Sequence, residues 1–360
     1  MIKDKILSLA NSIHTEVVQN RRHLHANPEL SLKEYETSKF IQTKLRGLGI
    51  PFENGIAETG VVATISGGEP SSNVIALRAD MDALPIQEEN EVEYRSKNDG
   101  VMHACGHDVH TSSLLGTARI LQECQEQING TIKLIFQPSE EKMPGGAHLM
   151  INEGVLENPI PSSIFGQHVH PPLEAGKMGF CGGQYMASAD ELYFTVKGRG
   201  GHGALPQDVI DPVIMASHII LGLQQIVSRK APPNVPTVLS IGKVIANGAT
   251  NIIPDSLYIE GTFRSMDEKW RNKAHELIKD TANNIAKSFG GSCETNIPKG
   301  YPSLYNNEQL TAFAKKSAID YLGQDNVVDL EPRMTSEDFA FFSQKVNGCF
   351  YRMGTGNVSK

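Results

Sequence analysis

No stretch of the 360 residues is apolar for long enough to span a bilayer. The N-terminal MIKDKILSLANSIHTEVVQNRRHLH is charged throughout, so it lacks the uninterrupted apolar core of a signal peptide. Cysteine is scarce. Cys105, Cys124, Cys181, Cys293 and Cys349 are odd in number, widely scattered and without a C-x-x-C pair. That argues against a disulfide framework and points to a reducing cytoplasm. Basic residues are outnumbered, 33 Lys and Arg against 41 Asp and Glu, for a formal charge of −8. Nothing basic is concentrated enough to neutralise phosphates, which argues against a nucleic-acid partner. Internal repeats and low-complexity segments are missing too.

What is there reads as an enzyme-sized globular chain. Its length favours two domains, and 39% hydrophobic with 21% charged residues is ordinary for that class. Apolar residues fall at helical spacing over 6–22, 33–48 and 112–122. Short apolar runs at 60–65, 73–78 and 130–136 predict buried strands. Strands alternating with helices imply an α/β domain, its sheet mostly parallel and covered on both faces. From about Asp190 the order becomes strand (191–197), helix (212–228), strand (237–245), strand (257–264), helix (268–289), strand (292–298). This is the ferredoxin-like, split-βαβ arrangement. A helix at 309–322 and a strand at 348–353 return to the first domain. The expected division is 1–187 with 300–360, interrupted by an inserted α+β domain at 188–299.

Three segments carry candidate metal ligands. His103-Ala104-Cys105-Gly106-His107-Asp108-Val109-His110 crowds three histidines and a cysteine into a tight loop, ligand types suited to zinc and its neighbours. Phe136-Gln137-Pro138-Ser139-Glu140-Glu141 closes a predicted strand with two carboxylates. A Glu-Glu pair alone is usually a solvated turn, but carboxyl ends of strands are where open α/β sheets bind ligands. Phe165-Gly166-Gln167-His168-Val169-His170-Pro171 ends a third apolar run in two more histidines. Three such segments in succession outweigh the bland reading of each.

In this order, these motifs resemble the aminoacylase and carboxypeptidase-type metalloamidohydrolases, within them the hippurate and indole-acetyl-amino-acid hydrolases. The resemblance spans nearly the whole chain. It includes Arg22 to Ser31, Leu77 to Pro85, Gly200-Gly201-His202-Gly203-Ala204, Asn251-Ile252-Ile253-Pro254 and Ser336-Glu337-Asp338-Phe339. It implies two divalent metal ions (zinc, manganese, nickel or cobalt) held by Cys105, His107, Glu141 and His168, with Cys105 bridging as thiolate. Glu140 is implied as general base, Asp80 as a residue just outside the ligands, and Arg78 stands where distant relatives carry a ligating histidine. His202, on a glycine-rich turn after the first strand of the inserted domain, is the candidate oxyanion donor. In relatives this histidine reaches a partner subunit's site, which implies a homodimer whose inserted domain is a lid and dimerisation element. Asn251 and Arg264 complete the substrate side, Arg264 as a bidentate partner for an α-carboxylate. His23 and His25 are expected to cap or pack. The resemblance also implies one more ligating histidine shortly after Gly354-Thr355-Gly356-Asn357. The sequence ends at Lys360 without it, so either that ligand lies on a C-terminal tail, the favoured expectation, or the second metal has an incomplete shell.

The expected activity is metal-dependent hydrolysis of the amide bond of N-acyl amino acids. A dipeptidase or aminopeptidase would need a pocket carboxylate for a free amine, and none is evident. A catalytically silent binding protein would be expected to have lost Glu140 or several ligands, and they are present.

Overall fold

The computed structural model describes residues 2–357. Two helices open the chain, α1 (Ile2–Ala26) and α2 (Tyr35–Gly47). α1 is longer than its apolar spacing suggested. It stops where Asn27 precedes Pro28, whose ring disfavours helix in the residue before it. Then follow β1 (Phe52–Ile56), β2 (Gly60–Ser66), β3 (Glu69–Asp80), α3 (His107–Glu123), β4 (Asn129–Gln137), α4 (Gly146–Asn152), β5 (Ser163–Glu174) and β6 (Met178–Phe180). After β7 (Gly183–Met186) come β8 (Asp190–Lys197), β9 (Gly201–His202), α5 (Pro212–Gln225), β10 (Thr237–Ile245), β11 (Ile252–Ile253), β12 (Ser256–Ser265), α6 (Glu268–Ser288) and β13 (Ser292–Asn296). The chain finishes with β14 (Leu304–Asn306), α7 (Glu308–Leu322), β15 (Val327–Asp329), α8 (Ala340–Ser343) and β16 (Asn347–Gly356).

The chain forms two compact units. The first comprises 1–183, 305–331 and 338–360, the second 184–304 and 332–337. The short segment 332–337 joins the second unit through its backbone. Arg333 N donates to Tyr185 O at 2.9 Å, and Ala187 N donates to Thr335 O at 3.1 Å.

The first unit is built on a mixed, mostly parallel eight-stranded sheet of order β1-β2-β4-β3-β5-β16-β6-β15. Parallel pairs join β4, β3, β5 and β16, while β1-β2-β4 and β16-β6 are antiparallel. β2 (GVVATIS) is buried over nearly its whole length, as a strand covered on both faces must be. Ile41 and Leu45 of α2 and Leu114, Leu115 and Ala118 of α3 pack with Val61, Ala63, Leu134 and Phe136 into one core. The last strand, β16, lies in the middle of the sheet, between β5 and β6. The parallel strands β3 and β4 end together at Asp80 and Gln137, and His168 lies two residues beyond the last β3–β5 pair, Arg78 with Gly166, on the strand β5 that runs on to Glu174.

The second unit has the βαββαβ order, with an antiparallel sheet β10-β12-β8-β13. Its core gathers Leu192, Phe194, Val196, Ile219, Leu223, Ile259, Phe263 and Ile278. Asp211 caps α5 by accepting from Val213 N and Ile214 N, and Pro212 takes the first helical position. The helix expected to reach residue 228 ends at Gln225 and passes into a π-helical turn, Ile226–Lys230.

Candidate metal centre

The His103–His110 segment is a loop only as far as Gly106, and His107 is already the first residue of α3. Gly106 has φ +92°, and a Cβ there would meet Val169 Cγ2 at 2.5 Å. Only glycine lets the loop turn left-handed against β5 and set Cys105 and His107 on either side of the bend. Cys105 Sγ lies 3.3 Å from His168 Nε2. His107 Nε2 lies 3.9 Å from Glu141 Oε1. Donor atoms of Cys105, His107 and His168 all fall within 4.8 Å of one another, as do those of His107, Glu140 and Glu141, and of Asp80, His107 and His110. His107 belongs to all three groups.

Each ring is turned by the nitrogen that faces away. His107 Nδ1 is 3.2 Å from Asp82 Oδ1, and His168 Nδ1 is 2.7 Å from the Val169 carbonyl. Both Nε2 atoms therefore point inward, the orientation metal-ligating histidines adopt. His107 Nε2 and Glu141 Oε1 are buried with no hydrogen-bond partner among the described residues. Such orphaned polar atoms cost about 1–3 kcal/mol each unless something fills the space between them. Thiol, two imidazoles and a carboxylate converging on that space fit a divalent cation of the zinc type.

The electrostatics agree. Burial pushes the Cys105 thiol up, with the charges of Glu141 and Asp80 adding to the effect. Burial likewise raises Glu141. Burial also holds His168 well below the usual histidine value, helped by His110 and Arg352, so its ring is neutral and able to ligate. A bound cation is what turns such a thiol into a thiolate ligand.

Asp80 is fully buried, and both its oxygens are engaged. It pairs with Arg78 Nη1 at 2.6 Å and with His110 Nδ1 at 2.6 Å. His110 Nε2 in turn accepts from Val169 N at 2.9 Å. Asp80 Oδ2 lies 3.8 Å from His107 Nε2. Arg78 also bonds Asp338 at 2.7 Å and Gln137 at 2.7 Å, tying the ends of β3 and β4 together. His25 packs, as expected, bridging Asp108 at 2.7 Å and Glu88 at 3.1 Å.

Reading the sequence missed Asp82. Besides His107, it accepts from Glu140 N and Glu141 N, both at 3.0 Å, and from the Ser31 hydroxyl at 2.6 Å. One carboxylate thus sets a ligand ring and both glutamates. A signal existed in the Asp80-Met81-Asp82 spacing, since carboxylates two apart at a strand end share a face.

The remaining candidates sit on the second unit. His202 is exposed on β9, opposite Ile252 of β11, and Gly203 N donates to Asn251 O at 2.9 Å. His202 and Asn251 are thus neighbours on one small exposed ribbon. Arg264, on β12, is half-buried and donates through Nη1 to Met334 O at 3.2 Å.

Residues 76–360 match the Peptidase family M20/M25/M40. The chain is 43% identical over 344 residues to an IAA-amino acid hydrolase, ILR1-like 5, of Arabidopsis thaliana, covering 94% of this chain and 78% of that protein. It is 41% identical to an N-acyl-L-amino acid amidohydrolase of Geobacillus stearothermophilus, over 86% of this chain and 83% of that one. Among solved structures it is similar to Bacillus subtilis YXEP, described as a dinuclear metal binding peptidase from the M20 family. The TM-score is 0.83 and the identity 38%, over 96% of this chain and 90% of that one.

Proposed function

Because the chain belongs to peptidase family M20/M25/M40, we propose that it hydrolyses the amide bond of N-acyl amino acids, releasing a carboxylate and a free amino acid. The observation that carries this reading is the convergence of Cys105, His107, His168 and Glu141 around two orphaned buried polar atoms, with Glu140 beside them. The names of its relatives, an IAA-amino acid hydrolase and an N-acyl-L-amino acid amidohydrolase, point to the same substrate class.

In the proposed site Cys105, His107, His168 and Glu141 would hold two divalent cations. When bound, such cations bring the pKa of water down to about 7 and polarise a carbonyl. Glu140 takes the proton of the attacking water and returns it to the leaving amine. Asp82 keeps Glu140, Glu141 and the His107 ring in register while this happens. His202 donates to the developing oxyanion, Asn251 positions the substrate, and Arg264 takes its carboxylate. The exposed His202 suits a homodimer in which one subunit's histidine completes its partner's site. Five unpaired cysteines suit a reducing compartment such as the cytoplasm. No helix among the described residues is long and apolar enough to cross a membrane.

The test is a panel of N-acyl amino acids and free-amine dipeptides, offered to protein stripped of metal and reloaded with zinc, manganese, nickel or cobalt. Hydrolysis of the acylated substrates with at least one metal is expected. Turnover of the free-amine dipeptides alone, or of nothing with any metal, overturns the proposal.

A further inference from the structure

Three consecutive backbone N–H groups in the loop after β4 end on buried carboxylates. Glu140 N and Glu141 N go to the two oxygens of Asp82. The third, Ser139 N, goes to Glu34 Oε1 at 2.9 Å. Glu34 lies more than a hundred residues upstream, immediately before α2, and is completely buried. Its Oε1 also accepts from Leu32 N at 3.0 Å, and its Oε2 accepts from the Thr59 hydroxyl at 2.7 Å. None of these partners is a cation, so the carboxylate is not one half of an ion pair.

Ser139 is the reason this matters. It has φ +52°, in the left-handed region that non-glycine residues seldom adopt and leave unless held. A left-handed residue within such a run makes successive N–H groups converge on one side, the backbone arrangement that binds anions. Here the anions are the protein's own side chains. The other side of the loop has no slack. Ser139 O accepts from Gly146 N at 2.8 Å, and a Cβ on Gly146 would fall 1.7 Å from the Pro138 carbonyl. Burial raises the Glu34 carboxyl to about 7, with the Asp82 charge adding to the rise and the Thr59 hydrogen bond opposing it. Groups perturbed this far cluster where structure serves a site.

We propose that Glu34 is a positioning residue for the Glu140–Glu141 pair. By accepting the Ser139 N–H it holds Ser139 left-handed, the conformation from which both glutamates project toward His107. The inference rests on the reading that Glu140 and Glu141 serve a metal centre. It adds that their aim is set by a side chain from a distant helix start as well as by Asp82.

The experiment measures cobalt affinity by its absorption spectrum, together with amide hydrogen exchange at residues 139–141 in metal-free protein. Glu34→Ala is expected to weaken cobalt binding about 10- to 100-fold, the range for groups that orient ligands, and to speed exchange at those amides. Glu34→Gln keeps an acceptor for Ser139 and Leu32 and can offer its amide to the Thr59 oxygen. It is expected to stay within about threefold of wild type, because the amide oxygen still accepts both N–H groups. Ser139→Gly placed on Glu34→Ala should recover part of the affinity, because glycine adopts the conformation unaided. Thr59→Val removes the hydroxyl partner of Glu34, and should lower the melting temperature while leaving cobalt affinity unchanged. If Glu34→Ala does not fold, Glu34→Asp replaces it, with the same expectations. Wild-type cobalt binding and wild-type exchange in a folded variant overturn the proposal, and so does the absence of any recovery with Ser139→Gly. A wild-type protein that hydrolyses no N-acyl amino acid would overturn the functional reading alone, since neither readout depends on turnover.

Discussion

Replacing Asp82 by asparagine changes one atom, and the structure says what that atom does. Oδ1 faces the His107 ring and Glu140 N, while Oδ2 faces Glu141 N and the Ser31 hydroxyl. Whichever way the amide is turned, its NH2 confronts at least one backbone N–H, and two donors cannot share a bond. A buried donor left unsatisfied costs about 1–3 kcal/mol. The lost charge adds to this. Burial alone works against a charged His107 ring, yet the Asp80 charge and the Asp82 hydrogen bond hold its pKa well above the ordinary histidine value. With ring and glutamates both loosened, metal affinity should fall about 10- to 100-fold. The melting temperature of the metal-free protein should fall by about 2–4 °C for each kcal/mol lost. Competition against a chelator of known affinity reads the first, and scanning calorimetry the second. If Asp82→Asn binds zinc within threefold of wild type and melts within a degree of it, the orienting role assigned to this carboxylate is wrong.

Glu140→Gln should retain fold and metal while kcat drops about 100- to 10,000-fold, because only proton transfer is lost; steady-state kinetics beside metal analysis checks it. Cys105→Ser should lower metal content and activity together, and full metal occupancy at the wild-type rate would remove Cys105 from the ligand set. His202→Ala should depress kcat and leave metal content unchanged. Mixing it with Glu140→Gln protein should restore part of the activity if the histidine serves a partner subunit, and no recovery after verified subunit exchange refutes that. In the second unit, Arg271 and His275 overcome the burial cost and hold Asp190 at about 2, below its ordinary 3.8. A depressed carboxyl contributes stability above its unfolded value and loses it as pH falls toward 2. Near neutral pH that contribution is about 2 kcal/mol, and Asp190→Asn should flatten the acid limb of the unfolding curve.

The ligand candidates were legible by residue type and setting: Glu141 and His168 follow apolar runs, while Cys105 and His107 share a histidine-rich loop. Asp82 and Glu34 were not, since an aspartate or glutamate reveals nothing of whose N–H it accepts 58 or 105 residues away. The left-handed Ser139 was equally hidden: nothing in Gln137-Pro138-Ser139-Glu140 demands a positive φ, which the tertiary contacts impose. Helices and long strands followed their periodicity closely. Short strands such as β6 and β15, three residues each, are too brief to show alternation. Strand order lay further out of reach. A sequence can suggest that 348–353 is a strand, but its seat between β5 and β6 is decided by which edges remain open when it arrives.

That seat sets the order in which the protein can be made. β5 waits with one edge bare until β16 is synthesised, 182 residues later, or roughly 10–40 s at ordinary translation rates. Meanwhile the continuous stretch 184–304 has all it needs for its own four-stranded sheet, so the insert is finished before its host. During that interval the nascent chain displays an unpaired, apolar strand carrying His168, a template on which a neighbouring copy can pair. Yield of folded protein should therefore depend on how that edge is shielded during synthesis, and slower crowding of ribosomes on the message should favour it.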